Sequence, residues 1–218
     1  MASTLKAAAA AVILAGLGLM AAPAQAQDIT MDKTAGDWMV RVRGIAVLPD
    51  ESSTVTPIGG NVDLTNEYVP EIDLSYFLTE NIAFELIAAT ARHSVSDNGS
   101  VLGDVDLGKV SHLPPTLTMQ YHFLPKARFS PYLGAGINYT VFYDEDAPGG
   151  VVTSIHYEDT WGYALQAGVD MAVAENWSVN FDVKKLFINT DVTINGGAVT
   201  ADVDLDPWIV GLGVGYTF

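Results

Sequence analysis

The chain has 218 residues, with 10 basic side chains against 26 acidic ones, no cysteine and 49% apolar residues. A formal charge of −16 excludes a generic binder of nucleic acid or anionic lipid, and zero cysteine excludes disulfides, thiolate metal sites and thiol nucleophiles. The mean hydropathy of +0.24 is the odd figure, because so acidic a chain must hide its apolar residues unusually well or place them against lipid.

Lys6 gives a short positive region, Ala7 to Ala22 form an apolar run, and Ala24-Gln25-Ala26 follows as a small-x-small cleavage signature. Residues 1–26 are expected to be a cleaved signal peptide, leaving 27–218 as one exported domain. No later apolar stretch is long enough for a membrane helix. What recurs instead is two-residue alternation in segments of about ten residues, and eight such segments can be read.

The first, near Trp38 to Val47, sets Trp38, Val40, Val42 and Ala46 against Arg41 and Arg43. The second, near Val69 to Phe77, sets Ile72, Leu74 and Tyr76 against Glu71, Asp73 and Ser75. The third, from Ile82 to His93, sets Phe84, Leu86 and Ala88 against Glu85, Ile87 and Ala89. The fourth, Thr116 to Phe123, sets Leu117, Met119 and Tyr121 against Thr118, Gln120 and His122. In the fifth, Tyr132 to Tyr143, Leu133, Ala135 and Ile137 oppose Gly134, Gly136 and Asn138. The sixth opposes Tyr163, Leu165 and Val169 to Gln166, Gly168 and Asp170, and the seventh opposes Trp177, Val179, Phe181 and Val183 to Asn180, Asp182 and Lys184. The eighth runs from Trp208 to a terminal Gly215-Tyr216-Thr217-Phe218.

Short connections at 78–81, 124–130 and 172–176 alternate with long loops near 48–67, 94–112, 144–160 and 189–206. A Greek-key sandwich would not keep that order, whereas an outer-membrane barrel does. Trp38, Trp177, Tyr216 and Phe218 then fall at the periplasmic interface, and Trp161 and Trp208 at the outer one, as two aromatic girdles. The expected fold is all-β, an eight-stranded antiparallel up-and-down transmembrane β-barrel in the outer membrane of a Gram-negative bacterium. Its expected surroundings are outer-membrane lipid and lipopolysaccharide, with the C-terminal strand offered to the barrel-assembly machinery.

Leu113-Pro114-Pro115-Thr116 through Phe123, followed by Pro131-Tyr132-Leu133-Gly134-Ala135-Gly136, resembles the OmpW family of outer-membrane proteins. Glu85-Leu86-Ile87-Ala88-Ala89-Thr90, Asp206-Pro207-Trp208 and the terminal Gly-Tyr-Thr-Phe extend the resemblance over essentially the whole exported chain. It implies a barrel that admits small hydrophobic molecules by diffusion and needs no cofactor.

Alternation places Arg41, Arg43, Glu71, Asp73, Glu85, Asp170, Asp182 and Lys184 in the lumen, where charges are expected to pair as a plug. Above them, Ile87, Ala89, Ala91 and Phe142 make a more apolar path for solute. Pro114 and Pro115 bring no N–H to the ladder, which suggests a lateral gate at the outer rim. Two other readings compete with uptake. One is a narrow ion-conducting pore; the other is a receptor barrel whose rim acids, among them Asp144-Glu145-Asp146, Glu158-Asp159, Asp202, Asp204 and Asp206, hold divalent cations. His93, His112, His122 and His156 come with no nucleophile motif, and no enzyme or metal site is expected. Lys185, outward by strict alternation, must snorkel or sit at a bulge.

Overall fold

Alternation becomes strand along most of the described chain in the computed structural model, which describes residues 29–101 and 103–218. The expected signal peptide lies outside the described residues. In chain order the strands are β1 (Trp38–Leu48), β2 (Ser52–Thr56), β3 (Asn61–Leu64), β4 (Glu67–Phe77), β5 (Ile82–Ala89), β6 (Ala91–Ser100), β7 (Gly103–Leu113) and β8 (Thr116–His122). They continue with β9 (Phe129–Asp146), β10 (Ile155–Tyr157), β11 (Thr160–Ala172), β12 (Trp177–Phe187), β13 (Asn189–Ile194), β14 (Val199–Asp204) and β15 (Trp208–Thr217).

Eight of these close an antiparallel barrel in the order β11-β12-β15-β1-β4-β5-β8-β9, with β9 pairing back onto β11. Closure pairs every edge, which hydrocarbon requires of a spanning sheet. The outer surface is the apolar face of the alternation: Val42, Ile72, Leu86, Leu117, Leu133, Leu165 and Leu212 are all exposed. Girdle rings bound that belt. Trp38 lies 4.8 Å from Tyr76 and Trp177 5.0 Å from Tyr216 at one end, while Tyr139 lies 4.9 Å from Trp161 at the other. Small inward residues make room for large ones opposite them on the paired strand. A Cβ on Gly213 would meet Cγ of Arg43 at 2.7 Å, and one on Gly168 would collide with the Tyr132 ring.

The segments expected as long loops are mostly strand. Above the barrel the chain forms two facing sheets, one of β3, β6, β7 and the upper part of β9, the other of β2, β14, β13 and β10. The alternation there runs in the opposite sense. Val192 and Ile194 point inward from β13 while Asn189 and Asp191 face water, and Val203 is buried on β14 while Asp202 and Asp204 are exposed. The solvent outside has changed from lipid to water, so the apolar face turns in. Val55, Val95, Leu107, Val110, Ile188 and Leu205 join the resulting core, which continues down to Ile45 and Ile209 in the barrel.

The periplasmic end is closed by residues ahead of β1. Met31 packs with Met39, Phe77, Ala83 and Ala172, and carries the chain into the barrel mouth.

The two halves rely on different cores, so they are separable by substitution. Val203→Asp places an unpartnered charge among apolar side chains, at a cost of several kcal/mol. The expected outcome is rapid protease cleavage of the tip hairpins on intact cells, with the heat-modifiable gel mobility of the barrel retained.

Candidate functional site

Within the barrel, β1 contributes Arg41 and Arg43 on successive inward positions, and the strands around it answer with acids. Arg41 donates to Asp170 in a two-pronged contact (Nε to Oδ1 3.1 Å, Nη2 to Oδ2 2.9 Å), and through Nη1 to Asp73 at 3.1 Å, Ser75 at 2.9 Å and Glu85 at 3.2 Å. Arg43 meets Glu71 at 2.8 Å, Glu85 at 2.9 Å and Asp182 at 3.5 Å, and also pairs with Asp73. Lys184 bridges Glu71 and Asp182, both at 2.8 Å. The side chains of all eight expected lumen charges are 0–2% exposed.

Neutral donors and acceptors tie the charges together. The Tyr132 hydroxyl donates to Asp182 at 2.6 Å, and the Gln166 amide donates to Glu85 and Asp182, both at 2.8 Å. Asn180 donates to Asp170 at 2.8 Å and accepts from Arg43 at 3.0 Å. The lumen here is filled with polar side chains, as the bore of an eight-stranded barrel permits.

The sequence reading missed one cation. Lys33 is fully buried and donates to Asp170 at 2.8 Å, Ser130 at 3.0 Å and Nδ1 of His122 at 2.9 Å. Nothing in a lone lysine ahead of the first alternating segment marks it as inward, since no strand period places it. His122 passes the chain on, its Nε2–H donating to Gln120 at 3.1 Å.

Above the charges the lumen becomes apolar. A small cavity of about 30 Å³ rests on Glu71 and Lys184 and is walled by Ile87, Ala89, Ala91, Pro114, Leu186 and Ile209. A larger one of about 80 Å³ lies between the two upper sheets, and Phe142 lines it. His112 borders both, stacked on His93 with ring centroids 5.0 Å apart. His93 is held by a 2.6 Å contact from Nδ1 to the Thr65 carbonyl.

The wall of the lower cavity is interrupted at the prolines. β5 and β8 pair as far as Ile87 with Thr116, and β6 and β7 resume in the same register at Ala91 with His112. Between them Ala88, Ala89 and Thr90 face Leu113, Pro114 and Pro115 with no ladder pairs. On the other flank the Pro115 carbonyl accepts from the Tyr139 N–H at 3.1 Å, so the seam towards β9 stays joined. The Thr90 hydroxyl spans the break, donating to the His112 carbonyl at 3.2 Å and meeting the Tyr143 hydroxyl.

Lys185 follows the strict register of β12 between Leu165 and Trp208, without a bulge. Its ammonium climbs to the Asp206 carbonyl and lies 5.2 Å from the Trp208 ring, so it snorkels at the outer girdle. Several rim acids engage protein groups: Glu145 meets His156 at 3.0 Å, Asp146 pairs with Arg92, and Asn189 donates to Asp202 at 2.6 Å and Asp204 at 3.0 Å. Among the described residues no three acids or histidines converge as metal ligands.

A closed eight-stranded barrel with an apolar belt, two aromatic girdles and a polar lumen defines an outer-membrane β-barrel protein. Residues 34–218 match the OmpW family, and the chain belongs to it. It is 42% identical to the outer-membrane protein y4mB of Sinorhizobium fredii, over 83% of this chain and 80% of that one. It is 34% identical to outer membrane protein W of Vibrio cholerae, over 94% and 98%. A dibenzothiophene metabolism operon protein, PahQ of Pseudomonas aeruginosa, is 28% identical over 73% and 76%. Among solved structures, OprG of Pseudomonas aeruginosa superposes with a TM-score of 0.79 at 31% identity, covering 85% of this chain and 97% of that one. The protein resides in the outer membrane, as a barrel of a non-enzymatic family.

Two measurements follow from this site. Arg41→Met leaves Asp170, Asp73 and Glu85 short of a shared cation, and removal of one partner from a buried ion pair costs about 3–5 kcal/mol. Urea unfolding in lipid vesicles, followed by tryptophan fluorescence, should show a matching fall in midpoint. The second concerns the histidines above the outer girdle. Burial pushes the His112 imidazole down from 6.5 to about 3, with His93 adding to the effect. The folded state thus prefers neutral His112, and that preference withdraws stability as pH falls below about 6.5 towards 3. Melting temperature should drop between pH 7 and pH 4, and His112→Phe should flatten part of that slope.

Proposed function

We propose that the protein admits small hydrophobic molecules across the outer membrane by passive diffusion, receiving them from outside into the apolar chamber and releasing them sideways into the bilayer. The observation that carries this reading is the junction of the lower cavity, with its floor of paired charges and its wall interrupted at Pro114. A solute of low polarity gains by entering the chamber, at roughly 25 cal/mol per Å² of apolar surface removed from water. It gains nothing by crossing a filled network of ions, so the low-cost exit is the lipid beside the unpaired segment.

In this reading Ile87, Ala89, Ala91 and Phe142 line the solute path, Pro114 and Pro115 form the lateral gate, and the charged residues from Arg41 to Lys184 form the plug. The name of the PahQ relative is in keeping with it, since dibenzothiophene is a flat apolar molecule. An ion-conducting pore is disfavoured by the burial of every lumen charge and by Lys33, which fills the periplasmic mouth.

Replacing both prolines with threonine restores two N–H donors to the ladder. Uptake of a labelled hydrophobic compound into vesicles should fall at least severalfold, while the heat-modifiable mobility of the barrel is kept. Unchanged uptake by an intact barrel overturns the lateral route. Ala91→Trp, which fills the lower cavity, should block uptake whichever exit is used.

A further inference from the structure

The upper chamber is lined mostly by apolar side chains, and a carboxylate stands among them. On β6 the inward positions read Ala91, His93, Val95 and Asp97, so an acid occupies the outermost rung where another valine would fit. In register, Asp97 stands between Val62 of β3 and Val105 of β7. It is 1% exposed and borders the chamber, where it is the sole carboxylate among the described residues.

Among the described residues neither of its oxygens meets a donor in good hydrogen-bonding geometry, and its polar neighbour is the Ser100 hydroxyl. That hydroxyl donates to the Gly103 carbonyl at 2.7 Å. The turn between β2 and β3 shuts over it, since a side chain on Gly60 would strike the carboxylate. Other acids of the same hairpins, Asp63, Asp104 and Asp106, face water and need no such account. A buried carboxylate with no cation beside it costs several kcal/mol, and native structures keep such groups where something else completes them.

We propose that Asp97 is a specificity-determining residue of the upper chamber, selecting small molecules that join an apolar body to an amine. This inference rests on the uptake reading and names its substrate class. The ammonium pairs with the Asp97 carboxylate, and the hydrocarbon part lies among Val62, Val95 and Val105. A solute of the same body with a carboxylate head is turned away by like charge. One with a hydroxyl head gains only a single-charge hydrogen bond.

The test uses the full protein in lipid nanodiscs at neutral pH, with the methyl signals of Val62 and Val105 as reporters. Three four-carbon probes, n-butylamine, n-butanol and butyrate, share a body and differ in head. The amine should bind about tenfold more tightly than the alcohol, with butyrate weakest, as a charge-assisted contact predicts. Asp97→Asn should bring the amine to the level of the alcohol. Asp191→Asn, which removes an exposed acid of the same rim, should leave the order unchanged. Asp97→Leu completes the apolar lining and serves if the asparagine variant does not fold; it should keep butanol binding and lose the amine preference. Equal affinities in the native protein, or an amine preference that survives loss of Asp97, overturns the inference and leaves uptake standing. Absence of methyl shifts with all three probes removes the chamber as a solute site, and the uptake reading falls with it.

Discussion

A strand can offer one face to a poorer solvent and the other to a richer one, and this chain does so twice with opposite sense. Within the membrane the outside is hydrocarbon, so Leu117, Leu133 and Leu212 face out while Thr118, Gln166 and Asp182 face in. Above it the outside is water, and Leu186 at the top of β12, Ile188 just beyond it and Val192 on β13 turn inward. The change of sense falls between Lys184 and Leu186 on β12 and between Glu85 and Ile87 on β5. No extra element is needed to make a polar lumen below and an apolar one above. The membrane boundary itself writes the division, and the proposed solute site lies on it.

The ion network follows from the same constraint. Side chains barred from lipid must fill an eight-stranded bore, and charged ones are tolerable only when each finds partners there. Arg41 and Arg43 do most of the joining, because a guanidinium offers five donors in a fixed plane and can serve acids from several strands at once. Their reach depends on glycines at the inward positions of β15, where any Cβ would crowd the arginine stems. The Gly-rich last strand is thus a packing partner of β1 rather than a weak point of the sheet.

Much of this arrangement is legible in the sequence because lipid enforces a period of two. The eight membrane-spanning segments, the girdle tryptophans and the inward placement of Glu71, Asp73 and Lys184 all follow from counting along the chain. The upper strands are harder to read. β2, β3 and β10 are three to five residues long; the outward sides of β2 and β3 are Ser, Thr, Asn and Asp, which also make loops, and β10 shows only His156. Lys33 and Met31 escape altogether, since they belong to no strand and reach the lumen by the path of the chain before β1. Local periodicity reports what faces a sheet; it carries no information on a segment that enters a barrel along its axis.

The two chambers differ in what they ask of a solute. The lower one meets Lys184 and Glu71 at its floor, but those charges already satisfy one another, so they repel an apolar solute without attracting a polar one. The upper one is mostly apolar, with His93, His112 and Asn195 in its lining, and Asp97 is its sole carboxylate among the described residues, flanked in register by valines. On the proposed reading, selection belongs at the entrance and redirection at the floor. His112 stands between the two, neutral at ordinary pH and stacked on His93, so the passage from one to the other runs past aromatic faces rather than charges. A molecule that has shed its water at the entrance meets no fixed charge until the floor. There the stretch from Ala88 to Thr90 has no ladder pairs with Leu113, Pro114 and Pro115.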